Sequence, residues 1–266
     1  MRMTTPFHIP APPAAWPRHP LLNVWADDPE PGALLDHLCH QGGLVFTINP
    51  DHLYHLQRNR EFLHAYRQAD VITVDSHYVR MALNRMGRPI HHHITGSDLV
   101  PRLIAHASTH DVDLRVFLLG AQPGVAQRAL ERINARHGKR LVVGAFGPSM
   151  NFIRDAEETA HALRLIRDSG ANALMVGLGA PKQEIWLARW REALPDVKLL
   201  MGVGATIDYE AGEVVRAPVW MRQMRMEWLY RVLSEPRRYL MRYVRNTEFL
   251  HLMWQDRRGR YRDPLA

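Results

Sequence analysis

The chain has 266 residues, of which 46% are hydrophobic and 23% are charged, as in a soluble globular protein with a full core. Its one cysteine, Cys39, excludes an internal disulfide framework. No apolar run reaches the roughly 18 residues of a membrane-spanning helix, and the Pro-rich N-terminus lacks the apolar segment of a signal peptide. We therefore expect a cytoplasmic protein.

The formal net charge of +7 is concentrated near the C-terminus. Residues 216–262 contain twelve arginines, no lysine and four acidic residues, a net charge of +8, so the rest of the chain is close to neutral. This asymmetry predicts an acidic partner for the C-terminal segment alone: phospholipid, a phosphorylated substrate or nucleic acid.

Short apolar runs alternate with segments of helical periodicity from Pro31 onwards. Strands are predicted at 44–49, 71–74, 114–119, 141–146, from 173 to the glycine turn that begins at 177, and at 198–202. Helices are predicted at 31–39, 51–63, 76–86, from 97 or 98, at 124–137, at 155–167 and from 181. The alternation predicts an α/β fold with a doubly wound, mostly parallel, Rossmann-like sheet.

In such a sheet, ligands bind outside the carboxyl ends of the strands. Each of Asn49, Asp51 and Asp75, taken singly, is explained as a helix cap. Several polar residues and glycines that converge on one edge instead indicate a ligand site. The residues at these strand ends are Thr47, Asn49, Asp75, Gly120, Gly177, Gly179, Gly204 and Asp208.

The stretch 173–186, ALMVGLGAPKQEIW, is typical of a strand that ends in a glycine turn and continues into a helix. Pro181 suits the first helical position because its missing N–H is not needed there. The free N–H groups of a helix start can bind a phosphate. A single G-x-G turn also fits an ordinary strand–helix connection.

From Arg216 onwards, Trp, Met and Leu recur at helical spacing among the arginines, with a break at Glu235-Pro236. Such helices lie on a membrane surface or pack as a hairpin on the core or on a second subunit. The predicted organisation is a Pro-rich leader at 1–30, an α/β core at 31–215 and a basic amphipathic helical appendage at 216–266.

Six stretches resemble, in order and spacing, the bacterial WecG/TagA/CpsF glycosyltransferases, which build teichoic acid, enterobacterial common antigen and exopolysaccharides. They are TINPDHL at 47–53, ADVITVDS at 69–76, ITGSDL at 94–99, VGLGAPKQEIW at 176–186, GVGATIDYEAGEVVRAPVW at 202–220 and EWLYRVLSEPRRYLMRYV at 227–244. Together they extend over most of the chain from Leu44 to Val244.

The resemblance implies an inverting, metal-independent transfer, without a cofactor, from a UDP-sugar to a sugar on polyprenyl diphosphate. It implies that Asp75 is the general base. The arginines of the family's basic C-terminal segment contact the donor phosphates. The implied substrate-binding residues are Thr47, Asn49, His93, Gly177, Gly179, Gln183, Gly204, Asp208, Arg216, Arg231 and Arg237.

Three departures from the family pattern lie near the implied donor pocket. Ser76 replaces a glycine, His92 and His93 replace a Glu-Arg pair, and 204–208 replaces Gly-Gly-x-Phe-Asp. A histidine in place of an arginine makes a phosphate contact depend on pH. These changes and the leader favour UDP-glucose, as in the xanthan-type branch, and leave UDP-N-acetylmannosamine open.

The resemblance also implies a peripheral enzyme on the inner face of the bacterial cell membrane, and it leaves a homo-oligomer open. We expect Arg216, Arg231 and Arg237 to bind phosphate. The residues expected at the anionic membrane surface are Arg242, Arg245, Arg257, Arg258, Phe249, Leu252 and Trp254.

Two other classes of protein remain as alternatives. An NAD(P)-dependent oxidoreductase would need a third glycine in the turn and an acidic residue about 20 positions on, for which Asp196 is a weak match. A nucleic-acid-binding module would use the arginines, but Trp and Met beside them suit lipid better, so no nucleic acid is expected.

Two patterns typical of metal sites are discounted. Neighbouring side chains in the run 91–93 point in different directions, so three adjacent histidines make a poor metal site. Asp111 and Asp113 resemble the Asp-x-Asp of metal-dependent glycosyltransferases but precede their strand, so we expect a turn there. No metal site is predicted.

Overall fold

The computed structural model describes residues 15–214 and 227–266 except 235, together with Pro218, Met221 and Met224. Within this described part, eight strands form one sheet. The strands are β1 (Arg18–Leu21), β2 (Val24–Asp27), β3 (Gly43–Ile48), β4 (Val71–Val74), β5 (Val116–Gly120), β6 (Val142–Phe146), β7 (Ala173–Gly177) and β8 (Leu199–Gly202).

The sheet has the strand order β1-β2-β4-β3-β8-β7-β5-β6. Only the edge pair β1–β2 is antiparallel, and every other neighbouring pair is parallel. The predicted mostly parallel α/β fold is therefore confirmed. Because β4, β3, β8 and β7 are consecutive neighbours, their carboxyl ends form one continuous edge, which we call the rim.

Helices connect the strands and cover both faces of the sheet. In chain order they are α1 (Pro31–His40), α2 (Pro50–Leu56), α3 (Arg60–Arg67), α4 (His77–Arg85), α5 (Gly96–Thr109), α6 (Val125–His137), α7 (Ala156–Asp168), α8 (Lys182–Trp190), α9 (Thr206–Ala211), α10 (Glu227–Ser234), α11 (Pro236–Asn246) and α12 (Glu248–Arg257).

Side-chain caps explain where several helices begin. Asn49 caps α2, and the single helix predicted at 51–63 is two helices because Asn59 caps α3 and accepts from the N–H of Phe62. Thr95 caps α5 in the same way. Helix α8 begins at Lys182, one residue after the expected Pro181, and the Ala180–Pro181 peptide bond is cis.

The sheet has a hydrophobic core on each face because successive strand residues point in opposite directions. On β3, Leu44, Phe46 and Ile48 belong to one buried cluster, and Val45 belongs to the other. These two cores leave only the edges of the sheet open to a ligand.

Part of the predicted leader belongs to the sheet. Strands β1 and β2 lie within residues 18–27, inside the segment that the sequence pattern assigned to the leader. Arg18 donates from Nε to the buried Asp27 carboxylate at 2.5 Å, and Asp27 also accepts the N–H of Ile72 on β4. This pairing fixes β2 against β4.

The C-terminal residues also pack on the core. Phe249 and Met253 of α12 and the following Tyr261 are buried in the cluster that contains Phe46. Arg88 pairs with Asp256. The expectation that Phe249 lies at the membrane surface is therefore wrong.

Candidate active site

Asp75 lies at the end of β4, half-buried on the rim. Its N–H donates to the carbonyl of Ile48 at 3.0 Å, which ties the end of β4 to the end of β3. The next residue, Ser76, caps α4 with its hydroxyl, although the bond to the N–H of Val79 is long at 3.5 Å. Because Ser76 serves as the cap, the Asp75 carboxylate is not needed for that purpose.

His93 lies beside Asp75. Its Nε2 is 2.8 Å from the Asp75 carbonyl oxygen, so that nitrogen must carry a proton and donate. The preceding residues are held by the buried Asp28, whose carboxylate accepts the backbone N–H groups of His91 and His92 at 2.8–3.0 Å. The segment that departs from the family pattern is thus anchored just after β2, at Asp28, and reaches the rim next to the candidate base.

Thr47 and Asn49 end the neighbouring strand β3. The Thr47 carbonyl accepts from the hydroxyl of Tyr66 at 2.5 Å and lies 2.6 Å from Nδ1 of His52. The Asn49 side-chain oxygen accepts the N–H groups of Asp51 and His52, so the cap role is confirmed for Asn49. Capping uses only that oxygen, and the Asn49 amide NH2 can still donate to a ligand.

The glycine turns after β7 and β8 lie next along the rim. Gly179 is exposed with φ +75°, and Gly204 has φ +55°, both in the left-handed region that favours glycine. A Cβ at either position would find no atom within 4 Å, so each backbone faces open space. Gly177, in contrast, is crowded, because a Cβ there would lie 2.7 Å from the Gly204 carbonyl oxygen.

Gln183 joins these two turns from behind. Its amide oxygen accepts the N–H of Gly179 at 3.2 Å and the N–H of Gly204 at 3.1 Å. The side chain is only 3% exposed. The geometry therefore indicates that Gln183 supports the two turns. The family resemblance instead implies that Gln183 binds the substrate near the diphosphate.

The remaining predicted substrate-binding residues come after β8 in the chain. Asp208 is half-buried on α9, which α6 holds through the pair Arg136–Glu210 at 2.9 Å. Arg216 lies outside the described residues. Arg231 and Arg237 belong to α10 and α11, but their side chains lie outside the described part of the structure.

Asp51 is a charged partner for the C-terminal helices that the sequence pattern did not indicate. Its buried carboxylate pairs with Arg242 at 2.9 Å and with Arg245 at 2.7 Å. Burial alone would raise the pKa of this carboxyl, but Arg242 and Arg245, with His52 and His55, together lower it below its ordinary value. Arg245 also stacks on the Tyr54 ring. These two arginines therefore fasten α11 to α2, beside Asn49, and their expected membrane position stays a prediction.

A buried polar layer behind the rim was also missed. Burial lowers the pKa of His52 to about 4, so this imidazole is neutral at pH 7 and donates through one nitrogen only. Burial raises the pKa of Glu184 to about 7 and that of Tyr66 well above its ordinary value. Helical spacing would place these residues on inward faces, but nothing in the sequence shows that the Tyr66 hydroxyl lies 2.8 Å from Nδ1 of His52.

The discounted metal patterns have other partners. His92 lies against Asp28, with its Nδ1 3.2 Å from the carboxylate. Asp111 and Asp113 pair with Lys139 and Arg115 at 2.6 and 2.5 Å, and Asp111 sits in a turn, as expected. Among the described residues, no three His, Cys, Asp or Glu side chains are grouped as a metal site.

In the same part of the chain, no helix is long and apolar enough to cross a membrane.

Comparison with known proteins shows the family of the chain. The model of the glycosyl transferase WecG/TagA/CpsF family matches residues 20–263, so the chain belongs to that family and is a glycosyltransferase. A relative from Bacillus spizizenii strain W23 is 30% identical over 202 residues, which cover 75% of this chain and 74% of the relative. That relative is an N-acetylglucosaminyldiphosphoundecaprenol N-acetyl-beta-D-mannosaminyltransferase.

Proposed function

We propose that the chain is an inverting hexosyltransferase that moves a sugar from a UDP-sugar to a sugar carried on polyprenyl diphosphate, in the assembly of an exopolysaccharide or another cell-surface polysaccharide. The observation that carries this proposal is the rim itself. It brings a carboxylate, two glycine turns and the start of a helix together at the ends of four neighbouring strands. Membership of a glycosyltransferase family supports the reaction class.

In the proposed reaction, the Asp75 carboxylate removes the proton from a hydroxyl group of the acceptor sugar. The hydroxyl oxygen forms a bond to the anomeric carbon of the donor while the bond to the UDP oxygen breaks on the opposite face. UDP leaves with the bonding electrons, and the configuration at the anomeric carbon is inverted. The half-buried position of Asp75 at the end of β4 suits a base that must meet a substrate.

The glycine turns at Gly179 and Gly204 are the proposed position of the donor diphosphate. A phosphate can approach both turns without a side chain in the way, and Lys182 in the first turn of α8 adds a cation beside them. Arg216, Arg231 and Arg237 would supply the positive charge, and Thr47 and Asn49 would contact the donor sugar. These assignments rest on the family resemblance and on the place of the described residues along the rim.

Two donors are candidates. The departures at Ser76 and at His92-His93 change groups beside the candidate base and so count against the family's usual N-acetylmannosamine donor. The leader and the length of the chain resemble the xanthan-type branch, which favours UDP-glucose. The name of the Bacillus spizizenii relative favours UDP-N-acetylmannosamine as the second candidate, with N-acetylglucosamine on undecaprenyl diphosphate as acceptor.

We also propose that the C-terminal helices bind an anionic membrane surface, where the lipid-linked acceptor lies. Large apolar side chains are exposed on α10, α11 and α12, and Arg258 stacks on the Trp254 ring. Exposed apolar groups beside arginines suit the boundary between lipid headgroups and acyl chains. The exposed residues are Leu233, Met241, Val244, Leu250 and Trp254.

Ligand-induced thermal shift separates this function from the two alternatives. UDP at about 100 times its Kd should raise Tm by about 5–10 °C, because a ligand that binds only the folded state stabilises it. NAD and a single-stranded oligonucleotide at matched concentrations should leave Tm unchanged. A shift with NAD or the oligonucleotide, and none with UDP, would contradict the proposal.

A further inference from the structure

Glu184 is a buried carboxyl group directly behind the two glycine turns. The residue is 1% exposed, so its side chain cannot contact a substrate. Its Oε1 accepts the amide NH2 of Gln183 at 2.8 Å. Its Oε2 is buried and has no hydrogen-bond partner among the described residues. A buried polar atom without a hydrogen-bond partner lowers stability, so a carboxyl group at this position indicates a structural or functional role.

The role of Glu184 concerns the orientation of the Gln183 amide. Both acceptor sites of its oxygen are used by the N–H groups of Gly179 and Gly204. If the amide rotated by 180°, its NH2 group would face two N–H donors and both turns would lose their acceptor. The bond from the NH2 group to Glu184 fixes the productive orientation.

We propose that Glu184 is a positioning residue that acts through Gln183 to hold the two glycine turns in the geometry that receives the donor diphosphate. The expected effect of Glu184 on donor binding rests on the proposed function, but its effect on the geometry of the two turns does not. The raised pKa of about 7 agrees with a carboxyl group that is needed as a hydrogen-bond acceptor and not as a charge.

The test uses Glu184→Met, which keeps the length of the side chain and removes the acceptor, and Glu184→Gln, which keeps one acceptor oxygen. Glu184→Met should weaken UDP binding and raise the KM for the donor roughly tenfold, as expected for the loss of one buried hydrogen bond. Its kcat should change less than about threefold, because binding is affected more than chemistry. Glu184→Gln should restore UDP affinity to within about threefold of the parent.

Amide hydrogen exchange gives a readout that needs no ligand. Gly179 is exposed, so the protection of its N–H depends on the bond to Gln183. Exchange at Gly179 and Gly204 should become roughly tenfold faster in Glu184→Met and stay unchanged in Glu184→Gln. An enzyme that failed to bind UDP would leave this measurement intact, so the two proposals fail separately.

Leu187→Ala is the matched control, because Leu187 is fully buried on the same helix and touches neither turn through a hydrogen bond. It should lower Tm while UDP affinity and exchange at the two glycines stay as in the parent. Unchanged exchange in Glu184→Met, or the same changes in Leu187→Ala, would overturn the proposal. If Glu184→Met does not fold, Glu184→Gln decides, since a tenfold loss of UDP affinity there would show that an acceptor oxygen is not what the site requires.

Discussion

Replacing Asp75 by Asn should lower kcat by about 100-fold or more, the usual scale for the loss of a general base. The amide has nearly the same shape but cannot take the proton of the acceptor hydroxyl. Asparagine keeps the shape of the side chain and the backbone bonds to Ile48 and His93, so the fold should be kept. Steady-state rates and UDP affinity, measured on the same preparation, check both expectations.

Asp113→Asn is the control for this prediction, because Asp113 is an exposed aspartate before β5, away from the rim. It should leave kcat within about twofold of the parent. If Asp75→Asn kept kcat within a few-fold of the parent, or lost UDP binding in proportion to its rate, Asp75 would not be the base.

Truncation after Asn246 should destabilise the whole protein by about 6 kcal/mol. It removes the buried side chains of Phe249, Met253 and Tyr261, and burial of a large apolar side chain contributes about 2 kcal/mol. That loss approaches the total stability of an ordinary domain, about 5–15 kcal/mol. Chemical denaturation of the truncated and full-length chains measures the difference.

The exposed side chains of the same helix provide the control. Replacing Leu250 and Trp254 by Ser should change stability by less than about 1 kcal/mol and weaken binding to anionic vesicles, because both side chains are exposed. If the truncated chain were as stable as the parent and lost only vesicle binding, residues 247–266 would be a membrane device and not part of the core.

The sheet could be predicted because its central strands are buried on both faces and appear as continuous apolar runs. The strand predicted from Ala173 to the glycine turn is β7. Strands β1 and β2 were missed because each is only four residues long, and they depend on distant partners such as the bond from Ile72 to Asp27. Such a contact leaves no local pattern in the sequence.

The rim residues could be predicted because each follows an apolar run, and the topology brings those ends together. The hydrogen bonds that these rim residues make could not be predicted. Whether the Gln183 amide points outwards to a phosphate or inwards to the turns depends on Glu184, and nothing in the sequence records that contact. The composition of α11 likewise suits contact with a lipid surface, but two of its arginines form ion pairs with the buried Asp51.

The most direct test of the proposed function is a transfer assay with synthetic glucose- and N-acetylglucosamine-diphosphate lipids as acceptors. Each is incubated with UDP-glucose, UDP-N-acetylmannosamine and other UDP-hexoses, and the linkage in the product is read by NMR. We predict that one UDP-α-hexose, with UDP-glucose first, gives a lipid-linked disaccharide of β configuration. No transfer from any UDP-sugar, or a product that keeps the α configuration, would contradict inverting transfer at Asp75.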